Sequence, residues 1–139
     1  MPSRAKIVTA SRGEAALYVA KGEQFLEEAQ HALKSTRHDA AMLNAIHSAV
    51  SATDAVTVAL AGRRSADPDH QRAADLLEEV GGRSESITSR AKQLRALLAK
   101  KNQVEYESRR AKASEASDAV ARALRFVEWA SETVARARL

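Results

Sequence analysis

The sequence predicts an all-α protein, an up-and-down helical bundle of four main helices plus a shorter helix. Three observations predict it. Apolar residues recur at spacings of three and four along most of the 139 residues. No segment alternates with period two over a useful length, so no sheet is expected. Glycine and proline gather between Gly62 and Pro68 and again at Gly81-Gly82, where they punctuate the helical patterns. Residues 1–11 read as a flexible N-terminus and 12–137 as one domain.

The first helix is expected from about Arg12 to Ser35. Ser11 suits the N-cap, and Glu14, three residues on, suits the capping box. Tyr18, Phe25, Ala29 and Ala32 share one face, with Leu26 and Leu33 beside them. Gly22 inside this helix costs ~1 kcal/mol against Ala, which points to close packing against a neighbour.

The second helix is expected from about Asp39 to Ala61, helped to start by Thr36 or His38. Met42, Leu43, Ile46, Val50, Val56 and Leu60 form its apolar side. Asn44, His47, Ser48, Ser51 and Asp54 recur at helical spacing on the other. A stripe of short polar groups without Lys, Arg or Glu reads in two ways. Either it is a half-buried surface facing another helix, a partner chain or a cleft, or these residues satisfy one another within the bundle.

Asp67 as N-cap and Pro68 at the first helical position open a short third helix. It carries Leu76, Leu77 and Val80 and stops at Gly81-Gly82. A fourth helix starts near Ser84 or Ser86 and carries Ile87, Leu94, Leu97 and Leu98 to about Lys100. The last runs from about Arg110 to Arg136, with Ala113, Ala116, Val120, Leu124, Val127 and Val134 inward and Phe126 and Trp129 as large anchors.

Composition narrows the function classes. Apolar residues make up 45% of the chain, enough to fold, but aromatics are only 4%, so Ala-rich helices must approach closely to bury area. There is no cysteine, hence no disulfide and no thiolate metal site. No HExxH, no paired His on one face and no carboxylate cluster is present, so neither metal nor cofactor is expected. No apolar run approaches the ~20 residues of a membrane span, and Met1 to Arg12 lacks the apolar stretch of a signal peptide. A cytoplasmic protein without membrane association is expected. The Ala and Arg bias suggests a GC-rich bacterial genome.

The net charge is +4, unevenly spread. Between Arg83 and Lys112 nine basic residues face three acids, a local balance of +6. Such a field attracts polyanions; it is also what a solvated helix face and a basic loop would carry.

The richest chemistry lies in Lys100-Lys101-Asn102-Gln103-Val104-Glu105-Tyr106, between the last two helical patterns or continuous with the fourth. The order of helices, with Lys101-Asn102-x-x-x-Tyr106 before the last one, resembles the HEPN domain family over roughly residues 12–137. In that family an Arg, often followed by Asn, precedes a His by four to six positions. Lys101 stands here in the Arg position and Tyr106 in the His position.

The resemblance implies a HEPN-like helical bundle, usually a homodimer in which the two motifs meet in one cleft. Active members are metal-independent ribonucleases, often in toxin–antitoxin, phage-defence or RNA-processing systems. Other members are binding or structural modules. Metal-independent RNA cleavage needs a phosphate clamp and groups that take and give a proton. Lys101 keeps the charge of Arg but loses its fork. Tyr106 keeps a hydroxyl, but its reference pKa of about 10 makes it a poor base at neutral pH.

Lys101 and Tyr106 are thus the candidate catalytic residues. Lys100, Asn102, Arg109 and Arg110 are the candidate phosphate-binding residues. His47, Ser51, Asp54 and His70 are candidates for the cleft. His47 and His70 are the histidines placed to substitute for the motif His. The simpler reading, however, makes His47 a packed polar residue and His70 an exposed first-turn residue. His47 and Asp54 lie two turns apart, ~10.8 Å, and do not touch.

Three functions compete: an RNA-binding protein or weak ribonuclease, a catalytically dead module for a protein partner, and a nucleotide-binding accessory of a nucleotidyltransferase. Binding is expected over efficient catalysis.

Overall fold

The computed structural model describes residues 6–106, except the side chain of Tyr106, and residues 110–137. Five helices make up the bundle: α1 (Ala15–Lys34), α2 (His38–Ala61), α3 (Gln71–Gly81), α4 (Glu85–Tyr106) and α5 (Ala113–Arg136). Four are long and α3 is short. The all-α bundle is therefore as the helical periodicity predicts. Among the described residues no helix is long and apolar enough to cross a membrane.

α2 is the central helix. It packs on α1 and α5 and also on α3 and α4. Its centrality follows from its residues: Ala41, Ala45, Ala49, Ala52 and Ala55 are fully buried and let neighbouring backbones approach. Met42, Ile46 and Val56 fill the remaining space, and Phe126 from α5 is the largest fully buried side chain.

Gly22 and Ser48 show how closely α1 and α2 meet. Ser48 Oγ donates to Gly22 O at 2.7 Å. A Cβ added at Gly22 would lie 3.3 Å from Ser48 O and 3.5 Å from Val127 Cγ2. The glycine thus sits where α1, α2 and α5 converge, which accounts for a residue that weakens an isolated helix.

The expectation of no sheet is corrected. β1 (Ile7–Thr9) and β2 (Arg63–Ser65) pair antiparallel, with Ile7 opposite Ser65, Val8 opposite Arg64 and Thr9 opposite Arg63. Backbone bonds from Ala66 N to Lys6 O and from Ala10 N to Gly62 O extend the ladder. Residues 7–9, expected within a flexible end, are therefore tied to the loop after α2. Three-residue strands are too short to show a period in sequence.

Several boundaries also differ. α1 is preceded by a 3-10 turn at Arg12–Glu14, and Ser11 makes no side-chain cap; its carbonyl accepts from Glu14 N instead. α3 begins at Gln71 rather than Pro68. Asp67 Oδ1 accepts from Asp69 N and Asp69 Oδ1 accepts from Gln71 N, so two successive Asx turns occupy the segment before the helix. α4 passes through the motif without a break as far as Tyr106, since Lys100 to Tyr106 contains no Gly or Pro. α5 starts at Ala113, where Glu115 reaches back to accept from Lys112 N. Leu60 and Leu124, expected inward, are 41% and 39% exposed, and Ala113 is also exposed.

Candidate functional site

α2, α3 and α4 meet around two histidines. His47 is half-buried on α2, with its ring centroid 5.5 Å from that of Phe25 on α1. His70 immediately precedes α3, held there by the Asp67 and Asp69 turns. Its ring stands edge-on to His47, with centroids 6.0 Å apart and planes at 89°.

α4 faces the start of α3. A cleft of about 210 Å³ is lined by Pro68, Asp69, His70, Gln71, Leu98, Lys101 and Asn102. Leu98 anchors α4 in the core, which brings Lys101 and Asn102, three and four residues later, to the cleft. Gln71 Nε2 donates to Arg95 O at 3.4 Å and ties the start of α3 to α4. Lys101 Nζ forms an ion pair with Glu105 one turn on.

The electrostatics are those of a crowded, mildly cationic site. Burial lowers the pKa of His47; the Lys101 charge lowers it further, and Glu105 opposes. Burial, Lys101 and His47 lower that of His70, against Asp69 and Glu105. Both imidazoles are thereby biased toward the neutral form at pH 7. A neutral imidazole offers one N–H donor and one basic nitrogen, and Lys101 offers a point charge for an anion.

The other candidates lie elsewhere. Lys100 turns to α5, where its Nζ is 3.2 Å from Glu115 Oε2. Arg110 is exposed beside a separate hollow formed with Thr36, Arg37, His38, Asp39, Ala40 and Ala111. Tyr106 is the last residue of α4; its side chain and the whole of Arg109 lie outside the described residues. Ser51 is buried in the bundle.

Asp54 faces a different neighbourhood. Burial pushes its carboxyl up to about 7, opposed by Arg64 and Lys21. Those two cations flank the Tyr18 ring, at 5.6 and 5.9 Å from its centroid. Asp54 keeps part of its surface exposed.

The polar stripe on α2 therefore divides. Ser48 and Ser51 are absorbed by the bundle, His47 meets α3 and α4, and Asp54 meets α1 and β2. Phe25, Gln71 and Leu98 complete the surroundings of the histidines and carried no signal of that role in the sequence. Glu105 did: an acid four residues after Lys101 on a continuous helix is placed to pair with it. Among the described residues, no group of three His, Asp or Glu is arranged to hold a metal ion.

No curated protein and no solved structure matches the chain. The HEPN domain family matches residues 15–134, from the first residue of α1 almost to the end of α5. Most of the chain is covered by that match, and the protein belongs to the HEPN family.

Proposed function

We propose that this HEPN-family protein binds RNA at the cleft between α3 and α4, with cleavage weak or absent. The observation that carries the reading is the convergence of His70, Lys101 and Asn102 on one cleft, with His47 of α2 against the His70 ring. Lys101 would hold a phosphate, Asn102 would donate to a phosphate or base edge, and the imidazoles would bond or stack with a nucleotide. Metal-independent cleavage requires one group to take the 2′-hydroxyl proton and another to protonate the leaving oxygen. Two histidines biased to the neutral form supply a base more readily than an acid. Binding is thus favoured over turnover. The reading includes a homodimer and a toxin–antitoxin or defence setting, both drawn from the family.

One observation favours a second reading. Glu105 neutralises part of the Lys101 charge, as suits a catalytically dead module that engages a protein partner.

The test is binding and cleavage of a labelled RNA pool in EDTA, with Lys101→Ala, His70→Gln and Tyr106→Phe alongside the unaltered protein. Binding weakened by Lys101→Ala and His70→Gln supports the cleft. RNA affinity identical in all forms removes it, and no affinity at all favours the protein-partner reading. Cleavage that survives all three changes marks a contaminant. Sedimentation of the same samples tests the dimer.

A further inference from the structure

A second groove lies between α4 and α5, away from the histidines. It measures about 640 Å³ and is lined by Ser86, Ser89, Arg90, Gln93, Arg122 and Arg125. No apolar or acidic residue is among these six. Ser86, Ser89, Arg90 and Gln93 follow one flank of α4 over ~10 Å of helix. Arg122 and Arg125 face them from one turn of α5.

The arginines are held in different ways. The Arg90 guanidinium lies 5.6 Å from the Phe126 ring centroid and 5.4 Å from that of Trp129. Stacking fixes its plane while leaving its N–H edges available for hydrogen bonds. Arg125 is exposed and has no ion pair among the described residues. Arg122 pairs with Asp118 at 2.9 Å on its own helix. Burial lowers the pKa of Arg90 and the Arg125 charge lowers it further, while Glu132 opposes. The fold thus holds two like charges near each other, with Glu132 only a partial counterweight. An oxyanion between them would relieve that repulsion.

We propose that the α4–α5 groove is a binding site for linked phosphate groups, those of an RNA strand, separate from the His47–His70 cleft. Guanidinium forks match phosphate oxygens in pairs. Ser86, Ser89 and Gln93 add neutral donors along the same line, and no aromatic side chain lines the groove to stack on a base. Such a lining suits the phosphate chain, whose contacts carry no sequence information directly. The identity of the polyanion rests on the RNA-binding reading; the phosphate site itself does not.

The test uses the full chain and a fluorescent single-stranded RNA, with affinity followed by anisotropy across a salt series. Arg122→Gln/Arg125→Gln should weaken binding about tenfold at low salt. Its log–log salt slope should shrink by about 1.4, roughly 0.7 for each lost phosphate contact. Arg125→Gln alone, at an exposed position, should give about half the change in slope and guards against a folding defect in the double variant. Calorimetry with inorganic tripolyphosphate separates the sources of phosphate. RNA affinity and slope unchanged in both groove variants, with loss only in Lys101→Gln, overturns the groove and leaves the RNA reading in place. If the unaltered protein binds no RNA, that reading fails. Tripolyphosphate binding lost in the groove variants would then support a site for a nucleotide's polyphosphate, and its absence would overturn the phosphate site as well.

Discussion

The ring of His70 meets that of His47 edge-on at 6.0 Å, across the junction of α2 and α3. The two residues are far apart in sequence and come from elements with no common periodicity. His70 therefore carries a charge penalty that depends partly on His47, and both depend on burial and on Lys101 and Glu105 of α4.

That relationship predicts a pH dependence of stability. Both histidines have folded pKa values below their ordinary one. Between the folded and unfolded values the unfolded chain binds more protons, so their contribution to stability rises with pH. It is fully present above the ordinary value near 6.5 and is lost as pH falls toward the folded values. Imidazole titration by NMR should place both below 6.5. Glu105→Gln should lower both further and Lys101→Ala should raise them. Histidines titrating at or above the ordinary value would contradict the packing of the cleft.

Asp54 works in the opposite direction. Its carboxyl is raised from 3.8 to about 7. In that window the folded state binds more protons than the unfolded one, so this contribution falls as pH rises. Asp54→Asn should therefore stabilise the protein at pH 8 and lose that advantage toward pH 4. The gain should be about 1–2 kcal/mol, below a full desolvation cost because Asp54 is not wholly buried. Urea unfolding of both forms at the two pH values measures it. An equal difference at both would show that Asp54 is not raised.

These two groups mark what was legible in the sequence. The stripe from Asn44 to Asp54 was visible as an anomaly, because short polar residues replaced the usual long charged ones. Its division was not. Residues 47 and 54 share a helix face, but α3 and α4 flank one and α1 and β2 the other, and tertiary neighbours leave no local trace. The same limit hid the β1–β2 pairing, whose ladder joins Lys6 to Ala66. Helix stops were readable where backbone chemistry is local, as at Gly81-Gly82. Starts were less so. Asp67 and Pro68 read as a cap, but the second aspartate, Asp69, repeats the turn and delays α3. Leu60 and Leu124 fit the apolar faces by spacing, yet each lies at the margin of a face broader than its partner helix covers.

Asp39 should prove important for joining α4 to α5. Its Oδ1 accepts from Ala111 N at 2.7 Å and pins the segment before α5 to the first turn of α2. Its charge also suits the N-terminus of α2. Asp39→Ala removes both interactions, and the expected cost is about 1–2 kcal/mol. Hydrogen exchange should show lost protection at Ala111 before any change in α1. Retained protection at Ala111 would mean that other contacts hold the connection.

Gly81 tests how α3 and α4 pack. Its replacement by Ala has two opposed effects. Gly81 is the last helical residue of α3, and Ala there should gain up to ~1 kcal/mol of helix propensity. The added Cβ, however, would lie 2.4 Å from Ile87 Cγ2 and 2.8 Å from Ile87 Cβ. The closer methyl can rotate away, but the Cβ moves only with the α4 backbone. Overpacking of this kind costs about 1–3 kcal/mol, so the clash should win and Gly81→Ala should destabilise the protein. Ile87→Ala removes the outer methyl groups and makes the Cβ contact easier to relieve by a small shift. The double variant should therefore recover part of the loss, giving a favourable coupling in a double-mutant cycle. Additive effects would show that α3 and α4 do not meet at these two residues, and a stabilised Gly81→Ala would show that the junction yields at little cost.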